Sequence, residues 1–149
     1  VADITRTRTV TAPQHTVWDI LADFGALSSW MDSVDHSCVL RVGPGGQPLG
    51  TVRRVQLGAN VLVEQITEFD PPTTLAYDAE GLPARLGKLA NRWTLRPDGE
   101  NTLVTLTSTL KIGKRPPARL AEQVLLRFMA RQSEALLAGL AHRLETTHV

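Results

Sequence analysis

Between the Pro116-Pro117 pair and Thr147 the chain carries no proline, and Leu125, Phe128/Met129, Gln132, Leu136/Leu137, Leu140 and Leu144 fall on one helical stripe. That spacing predicts one amphipathic helix of about eight turns by pitch, with Arg119, Glu122, Arg127, Arg131 and Glu134 on its opposite face. A helix of that length must bury its apolar stripe, and it is the only element big enough to cover the apolar face of the strands that precede it.

Those strands are short and joined by tight turns. Ile4 to Thr11 is rich in Thr and Val and reads as extended, although Arg6 and Arg8 share the parity of Ile4 and Val10, so one end of that face must reach water. Val34 to Val42 places Val34, His36, Cys38 and Leu40 on one face. Gly43-Pro-Gly-Gly-Gln-Pro-Leu-Gly50 is a turn-forming loop, and Pro97-Asp-Gly-Glu-Asn101 is the clearest turn of the chain. Beyond it, Val104, Leu106, Ser108 and Leu110 alternate with Thr105, Thr107 and Thr109, which predicts an edge or half-solvated antiparallel strand. Gly81 to Gly87 forms a longer connection before Lys88 to Arg96.

The segment Thr11 to Trp30 sets the start of the fold. Pro13 suits the first turn of a helix, Val17, Leu21 and Phe24 recur on one helical face, and Gly25 breaks the run. Two short helices hinged at that glycine deliver Trp30 just before the next strand, where it closes a cavity or plugs a core. The order is therefore a strand, two short helices, about six strands and one long closing helix. This is an α+β arrangement in a single domain over residues 1–149.

The hairpin at Gly58 gives the sharpest inference about chemistry. If Gly58-Ala59 are the central residues of a two-residue turn, Leu57 pairs with Asn60 and Arg53 stands directly opposite Glu64. Arg53 shares its parity with Val55 and Leu57, and Glu64 shares its parity with Leu62 and Ile66, so a charged pair is expected on an apolar, inward face. Such a pair either ties the hairpin together as an internal salt bridge or offers Arg53 to a carbonyl, phenolate or carboxylate and Glu64 to a hydroxyl. Tyr77, Asn91 and Trp93 are lining candidates on later strands, with Leu106 and Ser108 on the strand beyond. Phe128, Met129 and Gln132 lie where the helix would roof a cavity, a position that ordinary core packing serves equally well.

The order of elements, together with Ala12-Pro-Gln-His-Thr-Val-Trp-Asp-Ile-Leu-Ala-Asp-Phe-Gly-Ala-Leu-Ser-Ser-Trp30, Gly50-Thr-Val-Arg-Arg54 and Glu64-Gln-Ile-Thr-Glu-Phe-Asp-Pro-Pro72, resembles the START-like SRPBCC superfamily, in particular its polyketide cyclase/dehydrase and lipid-transport branch. The resemblance implies a helix-grip fold: a curved seven-stranded antiparallel sheet wrapped around a long C-terminal helix, with two short helices after the first strand and a mostly apolar cavity between sheet and helix. It also implies that Arg53 and Glu64 look into that cavity and hold polar groups of a ligand; Val55 and Ile66, by their parity with this pair, and Trp30, by its place before the second strand, are wall candidates from the residues themselves.

Composition narrows the alternatives. A net charge of +1 gives no field for nucleic acid or anionic lipid, and no window approaches eighteen apolar residues, so no integral membrane segment is expected. The N-terminus has no hydrophobic secretion core, which makes a cytoplasmic protein the expectation. Cys38 is alone, and His15, His36, His142 and His148 show no metal-ligand spacing. Gly81 to Lys88 fails as a phosphate loop because Pro83 interrupts it and Leu89 stands where a magnesium-binding hydroxyl belongs. No cofactor and no metal are expected. Three functions remain: a binder of a hydrophobic, polyketide-like or lipid-like small molecule; an aromatase/cyclase or dehydratase with Glu64 as base and Arg53 stabilising an enolate; and a toxin-like or cochaperone-like interaction module with a filled cavity, using Lys111 to Arg119 as its contact. A monomer and a homodimer fit equally. A mutual Arg53–Glu64 pair would count against the enzyme.

Overall fold

A computed structural model describes residues 2–80, 88–111 and 119–147. The elements run β1 (Ala2–Val10), α1 (Gln14–Ala22), a 3-10 helix (Phe24–Ser29), β2 (His36–Arg41), a 3-10 turn (Pro44–Gly46), β3 (Val52–Leu57), β4 (Asn60–Asp70), β5 (Thr74–Glu80), β6 (Lys88–Asp98), β7 (Asn101–Lys111) and α2 (Arg119–Thr147). All seven strands join one antiparallel sheet in the order β1-β7-β6-β5-β4-β3-β2. It is the curved sheet and long C-terminal helix of the helix-grip fold.

From β2 to β7 each strand pairs with the one before it in the chain, the order of a meander. β1 closes the far edge by pairing with β7, from Ala2 opposite Leu110 to Val10 opposite Thr102. β7 is thus an interior strand and not an edge. Its alternation still holds: Val104, Leu106, Ser108 and Leu110 are buried, while Thr105, Thr107 and Thr109 are half-buried on the other face.

β2 departs from its alternating pattern. His36, Val39 and Leu40 are exposed, and the residue turned inward is Ser37, whose hydroxyl donates to the Gly25 carbonyl at 2.8 Å and accepts from the Ser28 N–H at 2.8 Å. An edge strand has one free side, and here the 3-10 helix packs against it through Ser37 rather than through an apolar face. The core is one cluster that joins α1, the 3-10 helix and the sheet to Leu136, Leu137, Leu140 and Leu144 of α2.

Candidate functional site

Leu57 pairs with Asn60 across the two-residue turn, and this register places Arg53 opposite Glu64, as the turn chemistry of Gly58-Ala59 requires. Arg53 is 3% and Glu64 5% exposed. Arg53 donates from Nε to Oε1 of Glu64 at 2.8 Å, with Nη2 in ion-pair contact with the same oxygen at 2.7 Å, and from Nη1 to the Phe24 carbonyl at 2.9 Å. Its guanidinium lies 3.8 Å from the Phe24 ring centre and 4.7 Å from that of Tyr77, so two aromatic faces stabilise the buried cation. Among the described residues no donor reaches Glu64 Oε2.

Next to this pair runs a polar row. Ile66 faces Tyr77, Tyr77 faces Asn91, and Asn91 faces Ser108 across β4, β5, β6 and β7. Direct cross-strand neighbours stand close enough for side-chain hydrogen bonds. Ser108 donates to Asn91 Oδ1 at 2.6 Å, Asn91 Nδ2 donates to the Tyr77 hydroxyl at 3.5 Å, and Trp93 Nε1 donates to the same hydroxyl at 3.2 Å. Ser133 of α2 meets Ser108 at 3.1 Å. Burial raises the Tyr77 phenol above its ordinary value of 10.0, and the Glu64 carboxylate adds to that rise.

Arg53, Glu64, Tyr77 and Asn91 border a cavity of about 320 Å3 between the sheet and α2. Arg53, Glu64, Tyr77 and Asn91 supply its main polar groups on the sheet side. Val55, Leu57, Leu62, Leu89 and Leu110 supply apolar sheet surface, with Asn60 at the hairpin end. α2 contributes Phe128, Met129, Gln132 and Leu136, and the segment around the 3-10 helix contributes Leu27, Met31 and Val34. A mostly apolar enclosure with a few convergent polar groups is the usual form of a small-molecule site.

Five residues expected in the wall lie elsewhere. Trp93 (1% exposed), Leu106 (0%) and Ile66 (3%) face the right way but are packed within the core. Trp93 and Leu106 form the next cross-strand row with Leu75, deeper than the cavity floor. Ser108 is covered by Asn91 and Ser133 and acts on the site only through them. Trp30 stacks edge-on against Trp93 at 6.3 Å and lies under α2, where a Cβ on Gly139 would meet its carbonyl oxygen at 2.7 Å; it is a docking surface for the helix. Leu57, Leu62, Leu89 and Leu110 share the parity of residues already singled out and were within reach of that signal. Leu27, Met31 and Val34 had no such signal, because their contact with the cavity depends on how the 3-10 helix and the residues just after it fold against the sheet. The connection Gly81 to Gly87 lies outside the described residues, as does most of the basic stretch Lys111 to Arg119.

Among the described residues no group of three or more His, Cys, Asp or Glu is placed to hold a metal ion, and no helix is long and apolar enough to cross a membrane. Comparison with known families matches residues 1–145 to the model described as polyketide cyclase/dehydrase and lipid transport. Comparison with curated proteins found no match. Among solved structures, the Zhui aromatase/cyclase from a Streptomyces species shares 22% identity at a TM-score of 0.79, over 97% of this chain and 93% of that one. A START superfamily protein from Mycobacterium smegmatis shares 17% identity at 0.78, over 97% and 98%. The di-domain ARO/CYC StfQ from the steffimycin biosynthetic pathway shares 14% at 0.79, over 98% of this chain and 51% of that one. Likeness at these identities is a likeness of fold.

Proposed function

Because the chain belongs to the START-like polyketide cyclase/dehydrase and lipid transport family, we propose that it binds a hydrophobic, polyketide-like small molecule in the cavity between the sheet and α2, as one ligand-binding domain over residues 1–149. The observation that carries this reading is the enclosure itself: about 320 Å3 of space lined mainly by Leu, Val and Met, with Arg53, Glu64, Tyr77 and Asn91 gathered on its sheet side. Burial of apolar ligand surface supplies the affinity, at roughly 25 cal/mol per Å2 before the cost of association. The polar groups supply orientation: Glu64 Oε2 accepts from a ligand hydroxyl, and the cation of Arg53 draws electron-rich oxygen toward the same side.

Carriage is favoured over cyclisation by the Arg53–Glu64 geometry. The Glu64 Oε1 held by one guanidinium at 2.7 and 2.8 Å is engaged as a counter-ion and is not free to take a substrate proton. The interaction-module reading has less support, since it calls for a filled core. Native mass spectrometry of gently purified protein tests the proposal: a mass increment lost on denaturing extraction, with a small apolar molecule recovered, is the expected result. Empty protein from several expression hosts that also fails to take up added aromatic ketones would refute it.

A further inference from the structure

The polar row beneath the cavity has a direction, and the bond lengths reveal it. Ser108 Oγ and Asn91 Oδ1 are 2.6 Å apart, a length that O–H···O bonds adopt and N–H···O bonds do not. The other end of the amide faces the Tyr77 hydroxyl at 3.5 Å, a long and weak contact. The Asn91 amide is therefore oriented with its oxygen toward Ser108 and its NH2 toward Tyr77. Ser108 has spent its single proton on Asn91, so at the 3.1 Å contact Ser133 is the donor.

Tyr77 stands at the end of this chain. Trp93 Nε1 is a donor only, and Asn91 Nδ2 is a donor only, so the Tyr77 oxygen accepts from both. Both protein groups that face this oxygen are donors, so neither can take its proton. Its own proton has no acceptor among the described residues, although the residue is 3% exposed and borders the cavity. A hydroxyl faced by two protein donors has its proton left to offer a ligand.

We propose that Tyr77 is a specificity-determining donor held in that role by the Ser133–Ser108–Asn91 relay and Trp93, and that it selects ligands that place a carbonyl oxygen, as in a ketone or quinone, against β5. Asn91 and Ser108 are positioning residues here: they act through the direction of the Tyr77 proton. The inference rests on the cavity being the ligand site.

The test uses two probes of one shape, 2-acetylnaphthalene and 2-ethylnaphthalene, titrated by tryptophan fluorescence into the wild-type chain, Tyr77→Phe and Ser108→Ala. The quantity read is the ratio of their affinities, in which general effects of each substitution on the cavity cancel, including the Trp93 donor left unpaired by Tyr77→Phe. Loss of one hydrogen bond to the ketone lowers its relative affinity about tenfold in Tyr77→Phe. Ser108→Ala frees the Asn91 amide to turn over and take the Tyr77 proton, so the ratio falls in that variant too, with Tyr77 intact. A ratio unchanged within about twofold in Tyr77→Phe overturns the donor role, and a fall there but not in Ser108→Ala overturns the relay. If neither probe binds the wild-type chain, the cavity reading fails first and the assignment of Tyr77 fails with it.

Discussion

Gly139 of α2 lies directly over the carbonyl of Trp30: a Cβ built on Gly139 would stand 2.7 Å from that oxygen and 3.5 Å from the indole. The long helix is seated on Trp30 at the one position where it has no side chain. This contact fixes the height of α2 above the sheet and so bounds the space left beneath Phe128, Met129 and Gln132.

Gly139→Ala is accordingly expected to destabilise the protein. Alanine favours a helix interior by about 1 kcal/mol over glycine, but the methyl group collides with backbone, and overpacking of this kind costs about 1–3 kcal/mol. Urea denaturation that shows a lower midpoint supports the seating of α2 on Trp30. A raised midpoint would show that the helix does not touch it.

The Arg53–Glu64 pair predicts an asymmetry. Arg53→Met strands a buried carboxylate beside two aromatic rings and is expected to cost about 3–5 kcal/mol, whereas Arg53→Met combined with Glu64→Leu recovers most of that loss. Equilibrium unfolding of the two variants makes the comparison. A single substitution as harmless as the double would mean the pair is solvated.

Tyr77 is the single tyrosine of the sequence, so its ionisation can be followed by absorbance at about 295 nm without interference from another phenol. Burial, then the Glu64 charge, raises its pKa, so the folded protein holds the proton through the pH range where the unfolded chain loses it. Below the ordinary value of 10.0 both states are protonated and no stability is lost. Above it the unfolded state binds fewer protons than the folded one, and stability falls as pH rises. The expected spectrum is a phenolate step delayed in native protein and normal in denaturant; coincident steps would place Tyr77 in water.

What the sequence made legible followed from local geometry. A two-residue turn at Gly58-Ala59 leaves one register for β3 and β4, so the Arg53–Glu64 pairing could be read from spacing alone. The alternation of β7 and the long apolar stripe of α2 were legible for the same reason. Parity states which face a residue occupies but not how far along the strand the cavity extends. Trp93, Leu106 and Ile66 therefore share the face of the wall residues yet lie within the packed core. Phe24, which covers the Arg53 guanidinium and accepts its Nη1–H, could not be read at all, because its approach to β3 is set by the packing of the 3-10 helix.

Whether an apolar ligand occupies the space between the sheet and α2 is decided by methyl NMR. With 2-acetylnaphthalene added to protein labelled at the methyl groups of Met, Val and Leu, the account predicts saturable shifts at Val55, Leu110 and Met129 in the cavity. Val39, Leu40 and Val42, exposed at and beside the β2 edge, should stay unmoved. Shifts confined to those exposed side chains, or no saturable shift at the cavity methyls, would contradict it.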